Sequence, residues 1–208
     1  MSVAFSFPHV LTATQLLERA ADKQREGVGW SWGALSGRMV ELSGESSLTA
    51  AFALVLDAQL QGEPVAWVSA VESVFFAIDA VESGVDLEAL PLVRVLGAQQ
   101  AARAADKLLR SGAFGLIVVD LEAGARVPMP LQGRLLRLAE KHQTALVMLT
   151  ENAPDNPSLS ALVSLRAQAT RRHVSDDRFV CQILAIKDKR RLAGWSIEEV
   201  CRGPLGLR

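Results

Sequence analysis

Residues 37–52 read GRMVELSGESSLTAAF. Apolar Met39, Val40 and Leu42 lead into Gly44, and a largely apolar run follows from Ser46. That pattern is a strand, a tight turn and a helix start, which is where an α/β protein carries a phosphate-binding loop. A working loop reads G-x-x-x-x-G-K-[ST]: glycines let backbone N–H groups surround the phosphates, the lysine meets their charge, and the hydroxyl serves magnesium. Here Gly44 is followed by Glu45-Ser46-Ser47-Leu48-Thr49. The second glycine and the lysine are missing, and the hydroxyl arrives about two residues early against that template. No lysine occurs between Lys23 and Lys107 to take its place. Gly44, Ser46, Ser47 and Thr49 could form a residual anion pocket, since a helix N-terminus attracts anions. They could equally be an ordinary strand-to-helix turn with Ser46 or Ser47 as N-cap. The lost lysine favours the turn, and the chain is expected not to be an enzyme.

Working outward, the chain alternates strands and helices. Residues 64–69 and 92–96 read as strands, and 114–121 (FGLIVVDL) is a continuous apolar run ending in Asp120. Such a run suits a central parallel strand buried on both faces, and residues 145–150 read likewise. Helices are expected over 46–61, 71–82, 98–111 and 131–141, with Gly62 and Gly84 as stops. After the turn-rich residues 152–157 the pattern changes. Val163, Leu165, Ala167 and Ala169 alternate with Ser164, Arg166, Gln168 and Thr170, as in a half-exposed strand. Residues 178–187 and 195–201 follow as strands with no room for crossover helices, so an antiparallel meander extends the sheet. The expected fold is α/β: a mainly parallel sheet with helices on both faces and an antiparallel C-terminal extension. Two parts are expected. Residues 1–36 hold an amphipathic helix (11–26, capped by Thr12 or Thr14) and a loop. Residues 37–208 form the core domain.

Composition is that of a globular protein: half the 208 residues are hydrophobic and 22% are charged. The net charge of −1 hides a split, because residues 1–105 are acidic and residues 106–208 basic. That argues for an oriented electrostatic surface rather than a general nucleic-acid binder. Cys181 and Cys201 sit in apolar strand-like runs and read as core thiols. His9, His142 and His173 are too scattered for a zinc cluster, so no metal or other cofactor is expected. No apolar run approaches the ~18 residues that span a bilayer, and the N-terminus lacks a leader pattern. A cytoplasmic location without membrane contact is expected.

These landmarks, in this order, resemble the RecA family from about residue 37 onward. GRMVELSGESS is similar to the family's first strand and phosphate loop, shortened. AWVSAVES resembles the approach to a catalytic glutamate, with Glu72 or Val71 at that position. SGVDLEAL resembles the segment before the third strand. LLRSGAFGLIVVDL resembles the helix and strand that end in a magnesium-side acid, here Asp120. TALVMLTEN resembles the strand that senses the nucleotide, with Glu151 near a usual glutamine. ILAIKDKRR resembles a lysine-x-lysine strand, here Lys187 and Lys189. Within that family FGLIVVDL…VPMPLQGRLLRLAEKHQTALVMLTEN is most similar to ImuA, the RecA-like accessory proteins of bacterial mutagenic translesion synthesis. The two long loops that bind single-stranded DNA in RecA have only short counterparts, residues 122–130 and about ten residues after Glu151. The resemblance implies a non-catalytic adaptor in damage-induced (SOS) mutagenesis. It would bridge RecA and a Y-family polymerase-like ImuB partner, with an error-prone replicative-type polymerase in the same complex and only weak direct DNA binding. Its alternatives are a weak ATPase with a rebuilt pocket and a SulA-like division inhibitor that binds FtsZ.

The remaining candidates carry two or three readings each. Asp120 could hold magnesium, or be an acid bonded to a neighbouring turn; one carboxylate without phosphates holds magnesium poorly. Lys187, Lys189, Arg190 and Arg191, with Arg166, Arg171, Arg172, Arg178 and His173, could contact a DNA backbone, dock an acidic partner, or protect a strand edge. Arg103, Lys107 and Arg110 form a solvated helix stripe. Trp30 and Trp32 could anchor a partner or pack on the core. By the resemblance, the helix at 11–26 would mediate self-association or docking to RecA, or else fold back on its own domain.

Overall fold

The computed structural model describes residues 29–70, 75–121, 124–175 and 178–202. The expected helix at 11–26 and the Glu72/Val71 position lie outside them. Among the described residues eight strands form one sheet, in the order β3-β2-β4-β5-β1-β6-β7-β8. They are β1 (Met39–Ser43), β2 (Val65–Ala70), β3 (Leu92–Val95), β4 (Leu116–Asp120), β5 (Ala145–Thr150), β6 (Leu165–Ser175), β7 (Arg178–Asp188) and β8 (Ser196–Arg202). All pairs from β3 to β6 are parallel, and β6–β7–β8 is an antiparallel meander. This is the α/β architecture that the sequence implies.

Burial explains the order. Every residue of β1, β2 and β4 is buried, which requires a covering layer on each face. On one face α2 (Ser47–Leu60) packs Ala50, Ala51, Phe52, Leu54 and Val55 against Val40, Trp67, Val118 and Val147. On the other, α4 (Gly97–Ser111) and α5 (Met129–His142) cover Ala66, Val119, Leu146 and Met148. Alanines 98, 101, 102 and 105 line the inner side of α4, and their small side chains let that helix lie close to the sheet. Gly62 and Gly84 end their helices at positive φ, 78° and 90°.

Several boundaries differ from the sequence reading. Residues 27–37 are not all loop: α1 (Trp32–Leu35) forms one helical turn, capped by the Ser31 hydroxyl on Ala34 N–H. The helix expected over 71–82 is, among the described residues, α3 (Ala77–Glu82). β6 starts at Leu165 rather than 163 and is buried on both faces where it begins. Ser46 occupies the N-cap of α2, but its side chain makes no capping bond.

Trp30 and Trp32 pack on the core. Trp30 Nε1 donates to the Ala50 carbonyl at 3.1 Å and Trp32 Nε1 to the Gly115 carbonyl at 3.0 Å. The described part of the N-terminal element is thus fastened to the core domain.

Cys181 lies buried in β7, and burial pushes its thiol up to about 12. Cys201, on the outermost strand, is half-buried. At pH 8 a disulfide-exchange reagent should modify Cys201 readily and Cys181 only after denaturant is added, because the thiolate is the reactive form. Two equally fast thiols in the folded protein would contradict this arrangement.

Candidate functional site

In a parallel sheet, ligands gather at the carboxyl ends of the strands. Here those ends come together through register: Ser43 lies opposite Thr150 on one side and Gln168 on the other. Beyond them is a cleft of about 350 Å³, with Gly44, Glu45, Ser47, Glu151, Asn152 and Gln168 in its lining. Of the residues read as a vestigial nucleotide site, Gly44 and Ser47 line it; Ser46, Thr49 and Asp120 do not. Asp120 ends β4, in register with Ser69 and Leu149.

The turn after β1 is closed against β6. Gly44 has φ +103°, and a Cβ built there would stand 2.2 Å from the Ala169 carbonyl oxygen. Ser46 N–H donates to that same oxygen at 3.3 Å, and Ser47 N–H donates to the Gly44 carbonyl at 3.0 Å. The Glu45 carboxylate accepts Arg171 N–H at 2.8 Å. Two backbone donors of the turn, the N–H groups of Ser46 and Ser47, are therefore spent inside the protein. Ser46 Oγ is buried against the Cys181 thiol, and no bond of normal geometry reaches it. The cleft lining has two carboxylates, Glu45 and Glu151, and no lysine or arginine. A polyphosphate entering it would meet like charge.

Behind the cleft lies a feature that the sequence reading passed over. Glu41, in the middle of β1, has no exposed surface. Its carboxylate accepts Asn152 Nδ2 at 2.9 Å, Thr150 Oγ1 at 3.3 Å, Ser158 Oγ at 2.9 Å and Leu159 N–H at 2.8 Å. Arg166 Nε stands 4.0 Å away. The Arg166 guanidinium donates to the Asn156 carbonyl and, at 2.6 Å, to the Ala153 carbonyl. Together the two side chains hold the segment after β5, from Asn152 to Leu159, onto the sheet. A glutamate inside an otherwise buried strand was the available signal, because such a charge needs partners.

The basic residues do not form one patch. Arg166 is 4% exposed and belongs to the buried network. Lys187 is level with Arg166 and Glu41, and Lys189 lies beyond it, toward the end of the sheet away from Gly44. Burial, with Lys189 next to it, lowers Lys187 from its ordinary value. Lys189 Nζ donates to the Ala161 carbonyl at 2.5 Å, and Arg190 donates to the carbonyls of Ser36 and Gly37 at 3.3 and 3.2 Å. Close by, Asp188 accepts Arg38 Nη2 at 2.5 Å, Arg190 N–H at 2.9 Å and Trp195 Nε1 at 3.1 Å. Burial alone would raise the Asp188 carboxyl, and these three donors outweigh it and hold the group low. Arg191 remains exposed. At the opposite end Arg171 stacks on Phe179, 3.9 Å from the ring centroid, and Arg172 lies 3.9 Å from Glu198. On α4, Arg103 and Lys107 are exposed, while Arg110 pairs with Asp106 at 3.2 Å.

No group of three or more metal-ligating side chains occurs among the described residues, and no helix there is long and apolar enough to cross a membrane.

A family model described as the RecA N-terminal domain matches residues 23–148. A protein RecA of Fusobacterium nucleatum is 38% identical over 105 residues, which cover 49% of this chain but only 26% of that protein. The crystal structure of the RadB recombinase superposes with a TM-score of 0.56 at 14% identity, covering 79% of this chain and 87% of that one.

Proposed function

We propose that this chain, which belongs to the RecA N-terminal domain family, is a non-catalytic adaptor of the ImuA kind. In the cytoplasm it bridges RecA and an ImuB-type polymerase-like protein during damage-induced translesion synthesis, with an error-prone polymerase in the same assembly. One observation carries the non-catalytic part: the turn at Gly44 spends the N–H groups of Ser46 and Ser47 on the carbonyls of Ala169 and Gly44, beside an acidic cleft. The short segment after β5, held down by Glu41 and Arg166, supports weak rather than filament-forming DNA contact. The ImuA assignment rests on the sequence resemblance in residues 114–152.

Two measurements separate this reading from a rebuilt ATPase. Calorimetry with ATP and magnesium should show no saturable binding. Co-purification from damaged cells should recover RecA and the polymerase-like partner. Hydrolysis abolished by Asp120→Asn would establish the ATPase instead. Recovery of FtsZ, without the other two, would point to a division inhibitor.

A further inference from the structure

β8 is the last strand of the sheet, and among the described residues nothing pairs with its outer edge. A seven-residue edge strand is a template for another strand. Which backbone groups it offers follows from the ladder. Ala185 N–H donates to the Trp195 carbonyl at 2.9 Å, and the β7–β8 register then runs without a shift. In an antiparallel ladder, alternate residues bond to the same neighbour. Odd-numbered β8 residues therefore bond inward to β7, while Ser196, Glu198, Val200 and Arg202 turn their N–H and C=O groups outward.

A second copy pairing about a two-fold axis must match outward residues with outward residues. The axis can pass through a hydrogen-bonded or a non-hydrogen-bonded pair: centring on Glu198 or Glu199 sets that glutamate against itself, centring on Arg202 sets arginine against arginine, and centring on Cys201 sets Val200 against Arg202. Centring on Ser196 or Ile197 leaves most of β8 unpaired. Centring on Val200 sets each Glu198 opposite the Arg202 of the other copy, twice, with Val200 meeting its own counterpart. Opposite charges and β-branched side chains are favourable directly across strands. The side chains agree with this register. Val200 is 61% exposed and lies opposite buried Val180, so the pairing makes a row of four valines across the seam. The Glu198 side chain accepts Gln182 Nε2 at 3.0 Å and is still 52% exposed.

We infer that a second copy of this chain pairs with it through β8, antiparallel and centred on Val200, joining two eight-stranded sheets into one. This does not depend on the adaptor reading. Sedimentation equilibrium of the full chain should show the mass doubling as concentration rises. Glu198→Arg and Arg202→Glu, each alone, should raise the dissociation constant at least ~tenfold, and the two together should restore pairing. A second test does not depend on charge. Hydrogen-bonded antiparallel partners have Cα atoms about 5.5 Å apart, inside the roughly 4.4–6.8 Å that a disulfide spans. Val200→Cys in a Cys201→Ser background should thus cross-link copy to copy under mild oxidation, and Cys201→Ser alone should not. A chain that stays monomeric at every concentration overturns the inference. So does a dimer that survives both single reversals and gives no Val200→Cys cross-link.

Discussion

Glu41→Ala is expected to destabilise the protein by about 3–5 kcal/mol, the cost of removing one partner from a buried charged network. The Glu41 carboxylate takes four hydrogen bonds, from Thr150, Asn152, Ser158 and Leu159. Without it the half-buried Leu159 N–H loses its acceptor and Asn152 Nδ2 keeps only the Pro157 carbonyl, and a buried donor left unsatisfied costs about 1–3 kcal/mol. Arg166, whose Nε has no hydrogen bond and only this carboxylate 4.0 Å away, would be left as an uncompensated buried cation. Urea unfolding measures the loss. The location of the damage is the sharper test. Glu41 holds residues 152, 158 and 159, and Arg166 holds the carbonyls of Ala153 and Asn156. Hydrogen exchange should therefore speed up first across 151–162 in Glu41→Ala and in Arg166→Met alike. Because the two variants damage one network, their double mutant should be less destabilised than the sum, by roughly 0.5–3 kcal/mol. Strict additivity, with exchange unchanged at 151–162, would show that the network does not hold this segment.

That network marks where the sequence stops being legible. β4 and β5 could be read directly, because a strand buried on both faces leaves a continuous apolar run. The meander could also be read, because no helix fits between its strands. Arg166 was misplaced by the same logic that found β6. Period-two alternation assigns every second residue to solvent, and at the start of β6 both faces are covered. Only the packing of residues 153–157 over that face turns Arg166 into an internal donor. The basic cluster failed for a related reason. Neighbours in sequence at Lys187–Arg191 and Arg171–Arg178 lie at opposite ends of two long antiparallel strands. α1 reads as loop in the sequence because one helical turn has no periodicity. Its Ser31 cap and the bond from Trp32 N–H to Asp57 at 2.7 Å hold it in place, and the second of these is a tertiary contact.

The missing lysine after Gly44 was visible in the sequence, but the fate of the turn's N–H groups was not, since it depends on where β6 lies. Gly44→Ala tests that directly. At φ +103° an L-residue is strained, and its Cβ would stand 2.2 Å from the Ala169 carbonyl oxygen. Strained backbone of this kind costs about 1–3 kcal/mol, and a clash with backbone cannot be relieved by turning a side chain. Moving β6 away would lengthen the Ser46 N–H bond to the same oxygen. Gly62 supplies the control: it too has positive φ, +78°, yet nothing lies within 4 Å of its Cβ position. Gly62→Ala should therefore cost about 1 kcal/mol, for conformation alone, and Gly44→Ala at least about 2 kcal/mol more. Equal losses in urea unfolding would mean that the turn stands clear of β6 and its donors are free. In that case the cleft would regain the backbone half of a phosphate site, and the missing lysine and the acidic lining of Glu45 and Glu151 would stand against nucleotide binding.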